Sequence, residues 1–128
     1  MLTNNVLVRG GQGGIKISGD NTNAPNNDAA VPFVRVVNNT IFGNRSGDNG
    51  IWVEQYTSPT LLNNIVANLS TGIRVIGDPS TNTTVIGGTV YQNNNFNVLG
   101  IATLGSFPIQ LLAGAPLFVN SAADNFYL

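Results

Sequence analysis

Short copies of the pattern Gly-Ile-x-Val recur along the chain, and the variable position holds side chains that can bind or catalyse. That position is Lys16 in the first copy, Trp52 in the second, Arg74 in the third and Asn97 in a degenerate fourth, while Glu54 follows Trp52 two residues later. If each copy forms a strand, these side chains point to the same side. An indole can stack on a sugar ring while charged and amide neighbours bind hydroxyl or carboxylate groups. The set is therefore a candidate carbohydrate-binding face.

The same side chains have a purely structural interpretation. Lys16 and Arg74 can lie against the indole of Trp52 as cation–π contacts that only cover the sheet. Both interpretations stay open from the sequence.

Catalysis has weaker support in the pattern. A glycosidase needs two carboxylates at a set separation, and Glu54 and Asp78 can approach each other only across adjacent repeats. Arg74 can serve as the base of an eliminative cleavage. However, Asp48-Asn49-Gly50 and Gly77-Asp78-Pro79 have the form of turns, in which Asp bonds to nearby backbone. Glu54, Asp78 and Arg74 are thus weak catalytic candidates, and we expect no catalytic site.

Composition excludes many functions. The chain has 128 residues, no Cys, no His, five Lys+Arg and six Asp+Glu, with a net charge of −1. Disulfides, Cys/His zinc sites and His-based triads are excluded, and we expect no metal and no cofactor. Without a basic cluster, nucleic acid and anionic membranes are poor partners. Fifteen glycines and abundant asparagine disfavour a helical bundle.

The repeats predict the fold. Ile51 and Ile73 are 22 residues apart, Ile73 and Phe96 are 23 apart, and the longer interval from Ile15 to Ile51 contains a Gly/Pro/Asn-rich insertion at residues 19–32. Short β-branched runs at this period indicate one coil of a parallel β-solenoid per repeat. We therefore predict an all-β domain of about four coils of 22–25 residues over residues 1–99, followed by a closing segment over 100–128.

Stacked coils require specific interior positions. The inward side chains of the Gly-Ile-x-Val strands are predicted to form columns with members Ile15/Ile17, Ile51/Val53, Ile73/Val75 and Phe96/Val98. Repeated Asn-Asn pairs before other strands are expected to adopt left-handed backbone angles and to bond between coils. Gly50 and Gly72 are expected to adopt angles that a side chain would forbid. The competing fold is an antiparallel sandwich in which Asn49-Gly50 is a hairpin turn.

The pattern V-x-N-N-T-I-x-x-N followed by G-I-x-V resembles the repeat of the right-handed parallel β-helix superfamily, which includes pectate lyases, polygalacturonases and many bacterial surface proteins. The resemblance covers roughly residues 3–99, and the final residues are similar to the tail that often follows the last coil. It implies a right-handed solenoid whose strand sheet borders a polysaccharide groove. The acidic cluster that a lyase of this superfamily uses for calcium has no counterpart here.

Three functions follow as hypotheses. The first is a non-catalytic module of an exported or cell-surface protein, a scaffold that binds polysaccharide through the side chains around Trp52. The second is a segment of a polysaccharide-degrading enzyme. The third is an assembly module that self-associates through uncapped solenoid ends, since no capping helix is apparent and the chain has the features of a fragment of a longer protein.

Overall fold

The protein is a parallel β-helix, seen in a computed structural model that describes residues 1–11, 13–19, 33–77, 83–105 and 108–127. Its described strands form three parallel sheets, here named A, B and C. Sheet A contains β1 (Leu2–Thr3), β4 (Arg35–Val37), β7 (Thr60–Leu62), β10 (Val85–Gly87) and β13 (Thr103–Leu104). Sheet B contains β2 (Val6–Val8), β5 (Thr40–Phe42), β8 (Ile65–Ala67), β11 (Val90–Gln92) and β14 (Ile109–Leu111). Sheet C contains β3 (Gly13–Ile17), β6 (Asn49–Val53), β9 (Thr71–Val75) and β12 (Phe96–Gly100).

Each coil contributes one strand to every sheet, in the order A, B, C. Four such coils are stacked, and β13 and β14 extend sheets A and B beyond them. All strand pairs are parallel, and Asn49-Gly50 begins β6 instead of forming a hairpin turn. The antiparallel alternative is therefore wrong. Residues 20–32 of the predicted insertion lie outside the described residues, whereas Gly19 before them donates its backbone N–H to the Gln55 carbonyl at 3.2 Å.

The core consists of columns of apolar side chains that run through the stack. In sheet C the register places Ile15 opposite Ile51 and Ile51 opposite Ile73, as predicted. The inward side chains of sheets A and B complete the interior with Val36, Leu61, Ile86, Ile41, Val66 and Tyr91. Each buried aliphatic side chain of this size stabilises the fold by about 1.5–3 kcal/mol. Stability is thus distributed along the stack.

The fourth coil departs from the predicted register. Val98, not Phe96, pairs with Ile73, because the spacing between the equivalent positions of the third and fourth coils is 25 residues. Phe96 pairs with Thr71 instead and is 55% exposed. The predicted placement of Phe96 in the interior is therefore wrong. A shift of two residues preserves the inward and outward alternation, so Asn97 moves from beside Arg74 to beside Gly72.

The first residue of each Asn-Asn pair sets a bend between sheets A and B. It has φ between 53° and 58° in three coils, and a glycine with φ of 55° takes its place in the fourth, giving the column Asn4, Asn38, Asn63 and Gly88. Asn and Gly are the residues that adopt this left-handed conformation most readily. The predicted backbone role of these asparagines is confirmed.

The second residue of each pair forms a buried ladder between coils. The Asn39 Oδ1 accepts hydrogen bonds from the backbone N–H of Asn5 at 3.1 Å and from its Nδ2 at 2.9 Å. Asn64 Oδ1 accepts in the same way from the backbone N–H of Asn39 at 3.0 Å and from its Nδ2 at 3.2 Å. Asn39 and Asn64 are almost fully buried. The predicted bonding of asparagines between coils is confirmed.

Glycines at the start of the sheet C strands are required for a different reason from the one predicted. Gly50 and Gly72 do not have positive φ values. Instead, a Cβ on Gly50 would lie 2.4 Å from the carbonyl oxygen of Gly72, and a Cβ on Gly72 would lie 2.7 Å from that of Asn97. The requirement is therefore a close approach of backbone between coils.

The C-terminal residues return along the outer side of sheet B. Phe118 and Phe126 pack on Phe42, with ring centroids 5.8 and 5.1 Å from it. Farther along the stack, Arg9 of the first coil forms an ion pair with Asp124 at 2.6 Å. These contacts hold the segment against the solenoid on the sheet next to sheet C, so it leaves the outer side of sheet C to other residues.

Candidate functional site

Sheet C brings three of the predicted site residues into one column. The register pairs Lys16 with Trp52 and Trp52 with Arg74 on adjacent strands. Their neighbours in sequence, Ile15, Ile51 and Ile73, are buried, so alternation places the three side chains on the outer side. Glu54 follows at the end of β6. We call Lys16, Trp52, Glu54 and Arg74 the Trp52 face.

Asn97 does not belong to this face. The register places Leu99 beside Arg74 on β12, and Leu99 is 43% exposed. Asn97 instead accepts a hydrogen bond from Asn94 Nδ2 at 3.3 Å and donates one to Gln110. Leu99 was missed from the sequence because the two additional residues of the fourth coil carry no signal of their own.

A compact charged network lies beside Trp52. The Lys16 ammonium is 2.9 Å from Glu54 Oε1, and the Ser18 hydroxyl donates to Glu54 Oε2 at 2.5 Å. Both groups are partly open to solvent, with 54% of the Lys16 side chain and 31% of the Glu54 side chain exposed. The hydrogen bond from Ser18, followed by that from Lys16, holds the pKa of the Glu54 carboxyl below its usual value of 4.5. Glu54 is therefore ionised at neutral pH.

Both cations contact the indole of Trp52. Lys16 Nζ lies 4.7 Å from the ring centroid, and Arg74 Cζ lies 5.4 Å from it. The two cations come from the coils on either side of Trp52, within the distance at which cation–π attraction operates. The contacts expected from the structural interpretation are thus present. A sugar ring can stack on the indole only if one of these side chains moves.

The indole also carries a polar group with no partner. Its Nε1 is buried and has no hydrogen-bond acceptor among the residues that the structure describes. An unsatisfied buried donor costs about 1–3 kcal/mol. Movement of a covering side chain would let this N–H donate to a ligand or to water.

The two cations differ in their charge balance. Lys16 is neutralised by Glu54, whereas Arg74 forms no ion pair with any residue in the described ranges. A guanidinium presents several donors in a planar fork that matches a carboxylate. The Trp52 face therefore carries one uncompensated positive charge that suits an anion.

The remaining carboxylates do not form a catalytic pair that the structure can support. Asp48 is buried and accepts hydrogen bonds from the backbone N–H groups of Asn44 and Ser70, each at 3.0 Å. This agrees with the predicted turn role of Asp48. Asp78, the suggested partner of Glu54, lies outside the described residues. Within the described ranges, no three His, Cys, Asp or Glu side chains are grouped so that they could hold a metal ion.

Protonation of Glu54 should change the environment of Trp52, the single tryptophan of the chain. The folded-state pKa is the lowered one, so the Lys16–Glu54 pair is intact at neutral pH and is lost as the pH falls through that value. Titration of the intrinsic fluorescence should give a transition with its midpoint below 4.5. Ser18→Ala should move the midpoint upward, because Ser18 contributes most to the lowering. A transition that persists in Glu54→Gln would contradict this assignment.

Comparison of the chain with sequence models of protein families, with curated proteins and with solved structures found no match. In the part of the chain that the structure describes, none of the helices is long and apolar enough to cross a membrane.

Proposed function

We propose that the chain is a non-catalytic β-helix module of an exported or cell-surface protein and that its Trp52 face binds acidic carbohydrate. The observation that carries the proposal is the position of Arg74. Its guanidinium lies against the indole of Trp52, and it forms no ion pair with the other described residues. A uronate carboxylate supplies the missing negative charge and accepts two parallel N–H groups.

The coil architecture supports the wider assignment. Three-strand coils, a buried asparagine ladder and a sheet with outward aromatic and charged side chains agree with what the resemblance to right-handed, pectate-lyase-like β-helices implies. We include right-handed winding and membership of that superfamily in the proposal.

Binding requires a local rearrangement. When the guanidinium turns toward a carboxylate, the side of the indole that it covered becomes accessible to a sugar ring, and stacking of an aromatic ring on apolar groups is favourable. The unsatisfied Nε1 can then donate to a sugar oxygen. Lys16 stays fixed by Glu54, so the change is confined to one side chain.

The test is a titration of the protein with oligogalacturonate, followed by the fluorescence of Trp52 and by calorimetry. We expect the wild type to bind, Arg74→Gln to weaken binding by at least about tenfold, and Arg74→Lys to give an intermediate value, since Lys keeps the charge but not the fork. Binding should weaken as salt is added, because part of the site is exposed.

Arg35→Gln is the matched control. Arg35 is an exposed arginine at the start of β4 in sheet A, so this variant removes the same charge from another sheet. We expect a change of less than about twofold, since distant exposed charges are screened. Equal losses in Arg35→Gln and Arg74→Gln would show that only net charge matters, and the proposed face would be wrong.

The other two hypotheses from the sequence stay predictions with separate readouts. Release of shortened or unsaturated oligosaccharides by the wild type, with loss of that activity in Glu54→Gln, would favour an enzyme. Association that increases with protein concentration and does not depend on glycan would favour assembly.

A further inference from the structure

A surface pocket of about 400 Å³ adjoins the Trp52 face at the ends of the sheet C strands. It is lined by Gly19, Glu54, Gln55, Tyr56 and Ile76, and we call it the Tyr56 pocket. Its volume is within the range of small-molecule sites in proteins. Glu54 lines this pocket and also pairs with Lys16, whose ammonium lies over the indole of Trp52. The pocket and the Trp52 face are therefore continuous.

Tyr56 has an unusual backbone conformation in this pocket. Its φ is 59°, in the left-handed region that large side chains rarely adopt. The turn that contains it is closed by a hydrogen bond of 2.8 Å from Thr57 Oγ1 to the Glu54 carbonyl. Asn or Gly would occupy this position with less strain. Strained residues of this kind are concentrated at ligand-binding sites, and here the strained residue supplies an aromatic wall of a pocket.

The side chains of the pocket suit an uncharged sugar. Tyr56 offers a ring for stacking, Gln55 offers an amide that both donates and accepts, and the Glu54 carboxylate accepts from hydroxyl groups. A second carboxylate at this position would meet the negative charge of Glu54. The pocket therefore disfavours a uronate, whereas Arg74 at the other side of the face favours one.

We propose that the Trp52 face and the Tyr56 pocket bind a single acidic glycan in which uronate and neutral sugars alternate. The uronate lies on Arg74 and Trp52, and the adjoining neutral sugar lies against Tyr56. Trp52 and Tyr56 are four residues apart, so their α-carbons are separated by at most about 14 Å. An oligosaccharide can reach both positions, whereas a single sugar cannot. This inference rests on the proposed function, because it assigns a second position to the same site.

The test compares two acidic oligosaccharides of equal length. Hyaluronan oligosaccharides alternate glucuronate with the neutral N-acetylglucosamine, whereas oligogalacturonate carries a carboxylate on every sugar. We expect the wild type to bind the alternating glycan about tenfold more tightly, the effect of one additional stacked and hydrogen-bonded ring. Tyr56→Asn should abolish this preference and leave the affinity for oligogalacturonate unchanged.

Tyr56→Asn is suited to this purpose because Asn tolerates the backbone angle of the turn, so the variant is expected to fold. Tyr56→Phe keeps the ring and should keep the preference. Equal affinity of the wild type for the two glycans, or a preference that survives in Tyr56→Asn, would overturn the inference while leaving the proposed function intact. If the wild type binds neither glycan, the proposed function itself fails.

Discussion

Ile73→Asp is expected to unfold the protein. Ile73 is fully buried and is stacked between Ile51 of the second coil and Val98 of the fourth. An unpaired carboxylate at this position costs several kcal/mol, because neither coil offers a cation or a donor inside the column. Domains of this kind have a total stability of roughly 5–15 kcal/mol. We expect circular dichroism to show loss of the β spectrum, or a urea midpoint close to zero.

Two variants show whether the loss comes from burial. Arg74→Asp places the same carboxylate one residue later, on the outer side of β9, and should leave the protein folded. Trp52→Ala removes a larger side chain from the outer side and should have only a mild effect on stability. If either of these variants is as damaging as Ile73→Asp, the inward and outward assignment of sheet C is wrong, and the Trp52 face is wrong with it.

The sequence predicted the parts of the fold that repeat. Gly-Ile-x-Val recurs with the same inward positions in the first three coils, so the register of Lys16, Trp52 and Arg74 followed from alternation alone. The fourth coil was misaligned because Phe96 fits a strand interior as well as Val98 does. Only the backbone pairing of Val98 with Ile73 distinguishes the two alignments.

Other features depend on contacts that no local pattern encodes. The need for glycine at Gly50 was predicted, but its cause is the distance to the next coil, which the sequence does not contain. The packing of Phe42 on Phe118 and Phe126 joins segments far apart in the chain. Tyr56 gave no signal, since a tyrosine in a turn does not reveal its own φ. Repetition thus predicts the stack, whereas the details of the site depend on deviations from it.

Asn39→Leu is expected to cause a loss of stability second only to a buried charge. The Asn39 side chain accepts from Asn5 and donates to the Val37 carbonyl at 3.1 Å and to Asn64 Oδ1 at 3.2 Å. Leucine has a similar size but leaves these buried groups without partners, each at about 1–3 kcal/mol. The urea midpoint should fall by an amount equivalent to about 3 kcal/mol or more, with little change in the slope m.

Asn38→Gly is the matched control for the ladder, because it changes the other asparagine of the same pair. Asn38 has φ of 56°, and Gly88 occupies the equivalent position in the fourth coil with nearly the same angle. Glycine reaches this conformation without strain, so the change in the free energy of unfolding should stay within about 1 kcal/mol. The two asparagines of a pair therefore have separable roles, one in bending the backbone and one in bonding between coils. Similar losses in Asn38→Gly and Asn39→Leu would show that this division is wrong.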